Sequence, residues 1–163
     1  MKISTEELTQ RVNRFKEGLR QSGVKLTHQR IEIFKELAKS LNHPDADTIY
    51  RNVRKRIATI SLDTVYRTIW LLLDLGLIST LGPSWGRTRF DANMKSHHHF
   101  ICSVCGMTQD FYSKEFDGLK VPPSVKSFGQ VEMTHVEVRG VCLKCVGKKK
   151  LKKITSNNKE IKL

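Results

Sequence analysis

The sequence predicts an α+β protein: an N-terminal winged helix-turn-helix domain followed by a smaller, β-rich C-terminal half built around a four-cysteine zinc site. Three observations predict it. Apolar residues recur at helical spacing through residues 4–75 and then give way to a hairpin pattern over 77–90. All four cysteines fall in two pairs, Cys102-x2-Cys105 and Cys142-x2-Cys145. The net charge of +13 is unevenly spread, with +6 over residues 1–91, +1 over 92–147 and +6 over 148–163. These boundaries define a DNA-binding domain at 1–91 with a hinge near 91–96, a metal-binding domain at 97–147, and a basic, disordered tail at 148–163.

The elements follow in order. Ser4 with Glu7 forms a capping box, and Leu8, Val12, Phe15 and Leu19 line one face of a first helix that Gly23 ends. Thr27 caps a second helix with Ile31, Phe34, Leu37 and Leu41 inward. His43-Pro44 breaks the pattern. Asp45 caps a third helix facing inward with Ala46, Ile49, Tyr50, Val53 and Ile57. Ser61 caps a fourth with Val65, Ile69, Leu72 and Leu73 inward, Trp70 and Leu71 in the core, and Gly76 past its end. Residues 77–81 and 87–90 read as two strands around a turn at 82–86, with Trp85 at its tip. The third and fourth helices form the DNA-binding pair and the hairpin the wing. In the second half, Phe100–Cys102 and Asp110–Tyr112 read as strands flanking the first cysteine pair, and residues 131–141 as one long strand. Pro122, Pro123 and Gly129 leave the stretch between them open, with a weak helix as one reading.

Composition narrows the function. No apolar run reaches the length of a membrane span, and Met1–Glu7 lacks the apolar segment of a secretory signal, so a cytoplasmic protein with no membrane partner is expected. The cationic first half points to a nucleic-acid partner. An enzyme is not expected. His135-x-Glu137 before Cys142-x2-Cys145 lacks the proline and the spacing of a zinc deaminase.

Two C-x2-C knuckles suit a tetrahedral thiolate zinc site, and four thiolates leave no open position for catalysis. Disulfides or a redox pair are the alternatives. His97 and His99 fall on the same side of a strand because side chains alternate with period two. With His43, Asp91 and Asp110 they make a set of imidazoles and carboxylates that suits ferrous iron, manganese or zinc. A polar loop is the other reading of the His97-His98-His99 triplet, and spacing does not bring His43 to it.

The segments Gly23–Arg30, His43–Tyr50, Ser61–Thr68, Gly76–Ile78, Arg89–Asp91, His97–Gly106 and Gly140–Cys145, in that order and spacing, resemble the ferric uptake regulator family of metal-dependent repressors. The resemblance covers about residues 15–147. It implies a winged-helix DNA-binding domain, a C-terminal α/β dimerisation domain, a structural zinc on Cys102, Cys105, Cys142 and Cys145, and a regulatory metal between the domains. It carries the regulatory ligands onto His43, Asp91, His97, His99 and Asp110. Aspartate rather than glutamate at the hinge, Asp91, is similar to the peroxide-sensing branch. That branch implies Fe2+ or Mn2+ at the regulatory site and oxidation of His43 or His97 by peroxide. It implies a homodimer that binds a palindromic A/T-rich operator through Lys25, Thr64, Tyr66 and Arg67, with peroxide as the only small molecule concerned. Arg51, Arg54 and Arg56 are expected to face phosphates or solvent. Thr134 stands where many iron-sensing members place a further histidine, and His135 is one residue displaced, so a third metal site is not expected. An iron- or zinc-responsive repressor of the same family is the alternative, and a zinc-ribbon nucleic-acid-binding protein a more distant one.

Overall fold

The computed structural model describes residues 3–84, 87–131 and 134–147, the side chains of 82–84 excepted. It divides into two units, one running to Lys95 and the other from Ser96. The first begins with helices α1 (Thr5–Gln21), α2 (His28–Ala38), α3 (Ala46–Arg54) and α4 (Leu62–Asp74). Each predicted cap is in place. The side-chain oxygens of Ser4, Thr27, Asp45 and Ser61 accept from the backbone N–H of Glu7, Arg30, Thr48 and Thr64, satisfying one orphan donor per helix.

Two helices are followed by a glycine that turns the chain. Gly23 (φ 67°) and Gly76 (φ 61°) occupy the left-handed region. Beyond Gly76, Leu77 N–H reaches Leu72 C=O at 2.9 Å and Gly76 N–H reaches Leu73 C=O at 2.9 Å. Val24 and Gly23 repeat that pattern on Leu19 and Arg20. This is the paired bonding that closes a helix once its C′ residue turns left-handed.

The amphipathic faces meet in one core. Phe15 of α1 stacks on Phe34 of α2 with centroids 4.4 Å apart. Ile33, Leu37, Ile49, Val53, Val65, Ile69 and Leu72 close around them, all buried. Each such side chain contributes about 1.5–3 kcal/mol through burial. Strands β1 (Ser79–Ser84) and β2 (Arg87–Asp91) form the antiparallel hairpin, with Thr80 opposite Phe90. The strand starts two residues later than predicted, because Leu77 and Ile78 close the end of α4 and pack into the core. Residues 82–84, expected in the turn, continue β1, and Trp85 and Gly86 lie outside the described residues. The second helix stops at Ala38, short of Leu41. Trp70, expected in the core, is 64% exposed.

In the second unit β3 (His98–Cys102) is central, in the order β4-β3-β5. It pairs antiparallel with β4 (Thr108–Phe111), His99 opposite Asp110, and parallel with β5 (Glu137–Gly140), Cys102 opposite Gly140. The single-turn helices α5 (Lys114–Asp117) and α6 (Pro123–Lys126) lie between β4 and β5 in the chain. Of the long strand expected over 131–141, the described residues show only the four of β5. Its partner β3 is itself five residues long, and a strand extends no further than the edge it pairs with. The Lys-rich tail lies outside the described residues.

Candidate metal centres and DNA-reading face

The four cysteines come together at the ends of β3 and β5. Cys102 closes β3, Cys105 follows in the turn, and Cys142 lies two residues past β5 with Cys145 one helical turn on. Their sulfurs all lie within 4.8 Å of one another, with Cys105 Sγ 3.8 Å from Cys142 Sγ. Four Zn–S bonds of about 2.3 Å in a tetrahedron place sulfurs about 3.8 Å apart, so the donor set fits zinc. The Cys142 backbone N–H points at Cys102 Sγ at 3.3 Å. That amide lowers the Cys102 thiol from its usual range to about 6. Hydrogen bonding to the Cys142 sulfur, together with burial, pushes Cys145 upward, as expected where several sulfurs share few protons.

The imidazole and carboxylate residues form two groups. In the first unit His43 Nδ1 lies 3.5 Å from Asp91 Oδ1, and both side chains are 2% exposed. The corner that carries His43 is left-handed (φ 45°), unusual for a residue with a Cβ. Pins to β2 hold it: Phe90 N–H donates to Pro44 C=O at 3.2 Å, and Arg89 Nη1 to Asn42 C=O at 2.9 Å. Asp91 ends β2, and its Oδ1 accepts from Asn93 N–H at 2.7 Å.

In the second unit His97 Nε2 and His99 Nε2 are 2.9 Å apart, and each lies 3.8 Å from a carboxylate oxygen of Asp110. His97, just before β3, and His99 within it fall on one side by period-two alternation, and the register puts Asp110 beside His99. Two bonds of about 2.1 Å at right angles set their nitrogens about 3.0 Å apart, so the histidine pair fits adjacent positions on one octahedral ion. His98 points the other way, between the rings of Phe111 and Phe116, each 5.4 Å away. Its Nδ1 accepts from Val136 N–H at 3.2 Å, which leaves the proton on Nε2, 3.4 Å from Asp117 Oδ1. The middle histidine of the triplet therefore serves the fold. His135 precedes β5 rather than lying on it, and its ring is 5.9 Å from that of His99.

Of the DNA-contact candidates, Tyr66 and Arg67 face outward on α4. Tyr66 is 42% exposed, and Arg67 pairs with Asp63 at 3.0 Å, both largely in solvent. Thr64 is half-buried, with its hydroxyl 2.8 Å from the Ser61 cap. Lys25 is exposed just before α2, where its carbonyl accepts from Arg30. Arg56, expected at phosphates or solvent, is instead held by Glu32 at 2.8 Å and by Glu36 at 3.0 Å. Burial opposes the charge on Arg56, but the two carboxylates outweigh it and raise its pKa. Sequence reasoning missed Glu36, which is 5% exposed and also binds Asn52 Nδ2 at 2.9 Å and Lys39 at 2.5 Å. The signal was available: Glu36 follows Ile33 by three residues on the buried face of α2.

A match to the ferric uptake regulator family spans residues 21–139. The chain is 34% identical over 130 residues to the peroxide-responsive repressor PerR of Staphylococcus epidermidis, covering 78% of this chain and 85% of that protein. Among solved structures it resembles a zinc-bound manganese uptake regulator, at 32% identity and a TM-score of 0.62, over 78% of this chain and 98% of the other. The ferric uptake regulator of Helicobacter pylori shares the fold at 24% identity and a TM-score of 0.68, over 89% and 96%.

Proposed function

Since this chain belongs to the ferric uptake regulator family, we propose that it is a metal-dependent transcriptional repressor that responds to peroxide. The observation that carries the reading is the donor set, the buried His43 and Asp91 in one unit and the buried His97 and His99 with the half-buried Asp110 in the other. These five residues serve as ligands of one regulatory ion. Neither group alone satisfies the five or six ligands that Fe2+ or Mn2+ takes, so binding such an ion favours the arrangement in which both groups share it. By linkage, that preference becomes DNA affinity. Cys102, Cys105, Cys142 and Cys145 hold a separate structural zinc.

The chain acts as a homodimer. Among its described residues, the buried apolar side chains of the second unit are Ile101, Cys102, Cys142 and Cys145, while Phe128 and Leu143 are 87% and 89% exposed. A unit with so little interior gains stability by burying such surface against a second copy. Two recognition helices α4 then meet two half-sites of a palindromic, A/T-rich duplex, Tyr66 and Arg67 reading bases with Thr64 at the helix start. Lys25 reaches the minor groove.

Ferrous iron held by these residues would activate peroxide, and the two net electrons that split its O–O bond would come from the imidazole that is oxidised. The imidazole of His43 or His97 takes up one oxygen atom, with water as the other product. The modified ring no longer donates to the ion, and the DNA-bound arrangement is lost. Manganese supports binding without that reaction. The test is a gel shift with an A/T-rich duplex selected by the protein, performed anaerobically with iron or manganese, before and after peroxide. Peptide mass spectrometry accompanies it. Iron-loaded protein should release DNA and gain one oxygen on the His43 or His97 peptide, and manganese-loaded protein should do neither. Release without oxygen uptake at either histidine would leave a repressor but remove the peroxide sensor. DNA binding indifferent to chelators would remove both.

A further inference from the structure

The outward face of α4 continues beyond Tyr66 and Arg67. Trp70, one turn on from Tyr66, is 64% exposed and is not among the residues of the first unit's core. Their i, i+4 spacing puts both rings on the same side of the helix. Together they form one wall of an open groove of about 520 Å³, with Asp45 and Asp47 at the start of α3 and Thr80, Arg87 and Thr88 of the hairpin opposite. Leaving an indole in water forgoes on the order of 2 kcal/mol of burial, so the fold alone does not account for a tryptophan here.

The chemistry of the groove narrows its occupant. An indole offers an apolar face and one N–H donor, and threonines offer hydroxyl donors. Such groups suit the deoxyribose and phosphate of a nucleic-acid strand. Arg87 bonds Asp45 at 3.1 Å and Asp47 at 3.3 Å, so one guanidinium neutralises one of the two carboxylates on the acidic side of the groove. The groove also shares Tyr66 with the outward face of α4. A helix lying in a major groove brings the flank between itself and the wing against the strand that bounds that groove.

We propose that Trp70 is a further DNA-contacting residue and that the groove beside it seats the sugar–phosphate strand bordering the recognition helix. The proposal rests on the repressor reading above.

The probe is a duplex selected from a randomised pool by manganese-loaded wild-type protein. Trp70→Ala should weaken binding about tenfold, the size of one lost interface contact, with an unchanged melting temperature. Trp70→Phe should recover part of the loss. The salt dependence of Trp70→Ala should match wild type because an indole releases no counterions, whereas Arg67→Ala should reduce the slope by about one. The chain has two tryptophans, so in a Trp85→Phe background the emission of Trp70 should change when duplex is added. Wild-type affinity in Trp70→Ala with unchanged emission in the Trp85→Phe protein would overturn the inference and leave the repressor reading intact. Loss of the dimer in Trp70→Ala by sedimentation would also overturn it, by making the groove a protein–protein seat. If wild-type protein selects no duplex, the repressor reading fails and the inference with it.

Discussion

Asp45 shows how one side chain serves two scales of structure. One oxygen caps α3 by accepting from Thr48 N–H at 2.8 Å, and the other accepts from Arg87 of the hairpin at 3.1 Å. Partial burial works against its charge, yet the hydrogen bonds from Thr48 and Arg87 hold its pKa below the ordinary carboxylate value. A depressed folded-state pKa means stability that is present above the unfolded value, about 4, and is lost as pH falls through the folded one. Asp45→Ala should therefore destabilise the first unit by about 1–2 kcal/mol at neutral pH. The gap from wild type should narrow below about pH 4, as chemical denaturation across pH would measure. The capping role was legible in the sequence, because a cap is satisfied within three residues of itself. The pairing with Arg87, 42 residues away, was not.

The same division holds for whole elements. The four helices could be read from period and caps, since both are local. What orients α3 on α2 was not visible, because it depends on the buried carboxylate of Glu36, which binds Asn52 and Arg56 near the end of α3. Removing it leaves Arg56 partly desolvated and short of one partner. Glu36→Ala should cost about 2–3 kcal/mol and lower DNA affinity through a misplaced helix pair, read by thermal melting and gel shift together. Glu32, more accessible and at the edge of the same network, should cost less. Strands were harder to read than helices. The apolar pattern over residues 131–141 is a property of the chain, but the length of β5 is a property of its partner.

At the scale of the molecule, the sulfur cluster was the most legible feature, because each knuckle is a two-residue spacing and two knuckles suffice for one tetrahedral ion. The juxtaposition of His43 with Asp91 was not legible from spacing. It depends on a left-handed corner and on hydrogen bonds between distant backbones, and only family resemblance pointed to it. The thin interior of the second unit makes the cysteines indispensable to it. Cys142→Ser should lose zinc by metal analysis and unfold that unit, seen as loss of its melting transition while the helical unit still melts cooperatively.

The parallel pairing of β3 with β5 has a kinetic consequence. Cys102 lies opposite Gly140, so the pairing closes a long stretch of chain that includes β4, α5 and α6. Contacts of such high order form slowly, because the loop entropy is lost before the contacts reward it. The two knuckles lie at the ends of those same strands, so an ion captured by one knuckle tethers the other and pre-closes the loop. Refolding of the second unit should then be several-fold faster with zinc present than with a chelator. The first unit, whose core joins neighbouring helices, should refold at the same rate in both. Double-jump stopped-flow with probes on each unit would show whether zinc supply, rather than chain synthesis, sets how quickly new repressor becomes competent.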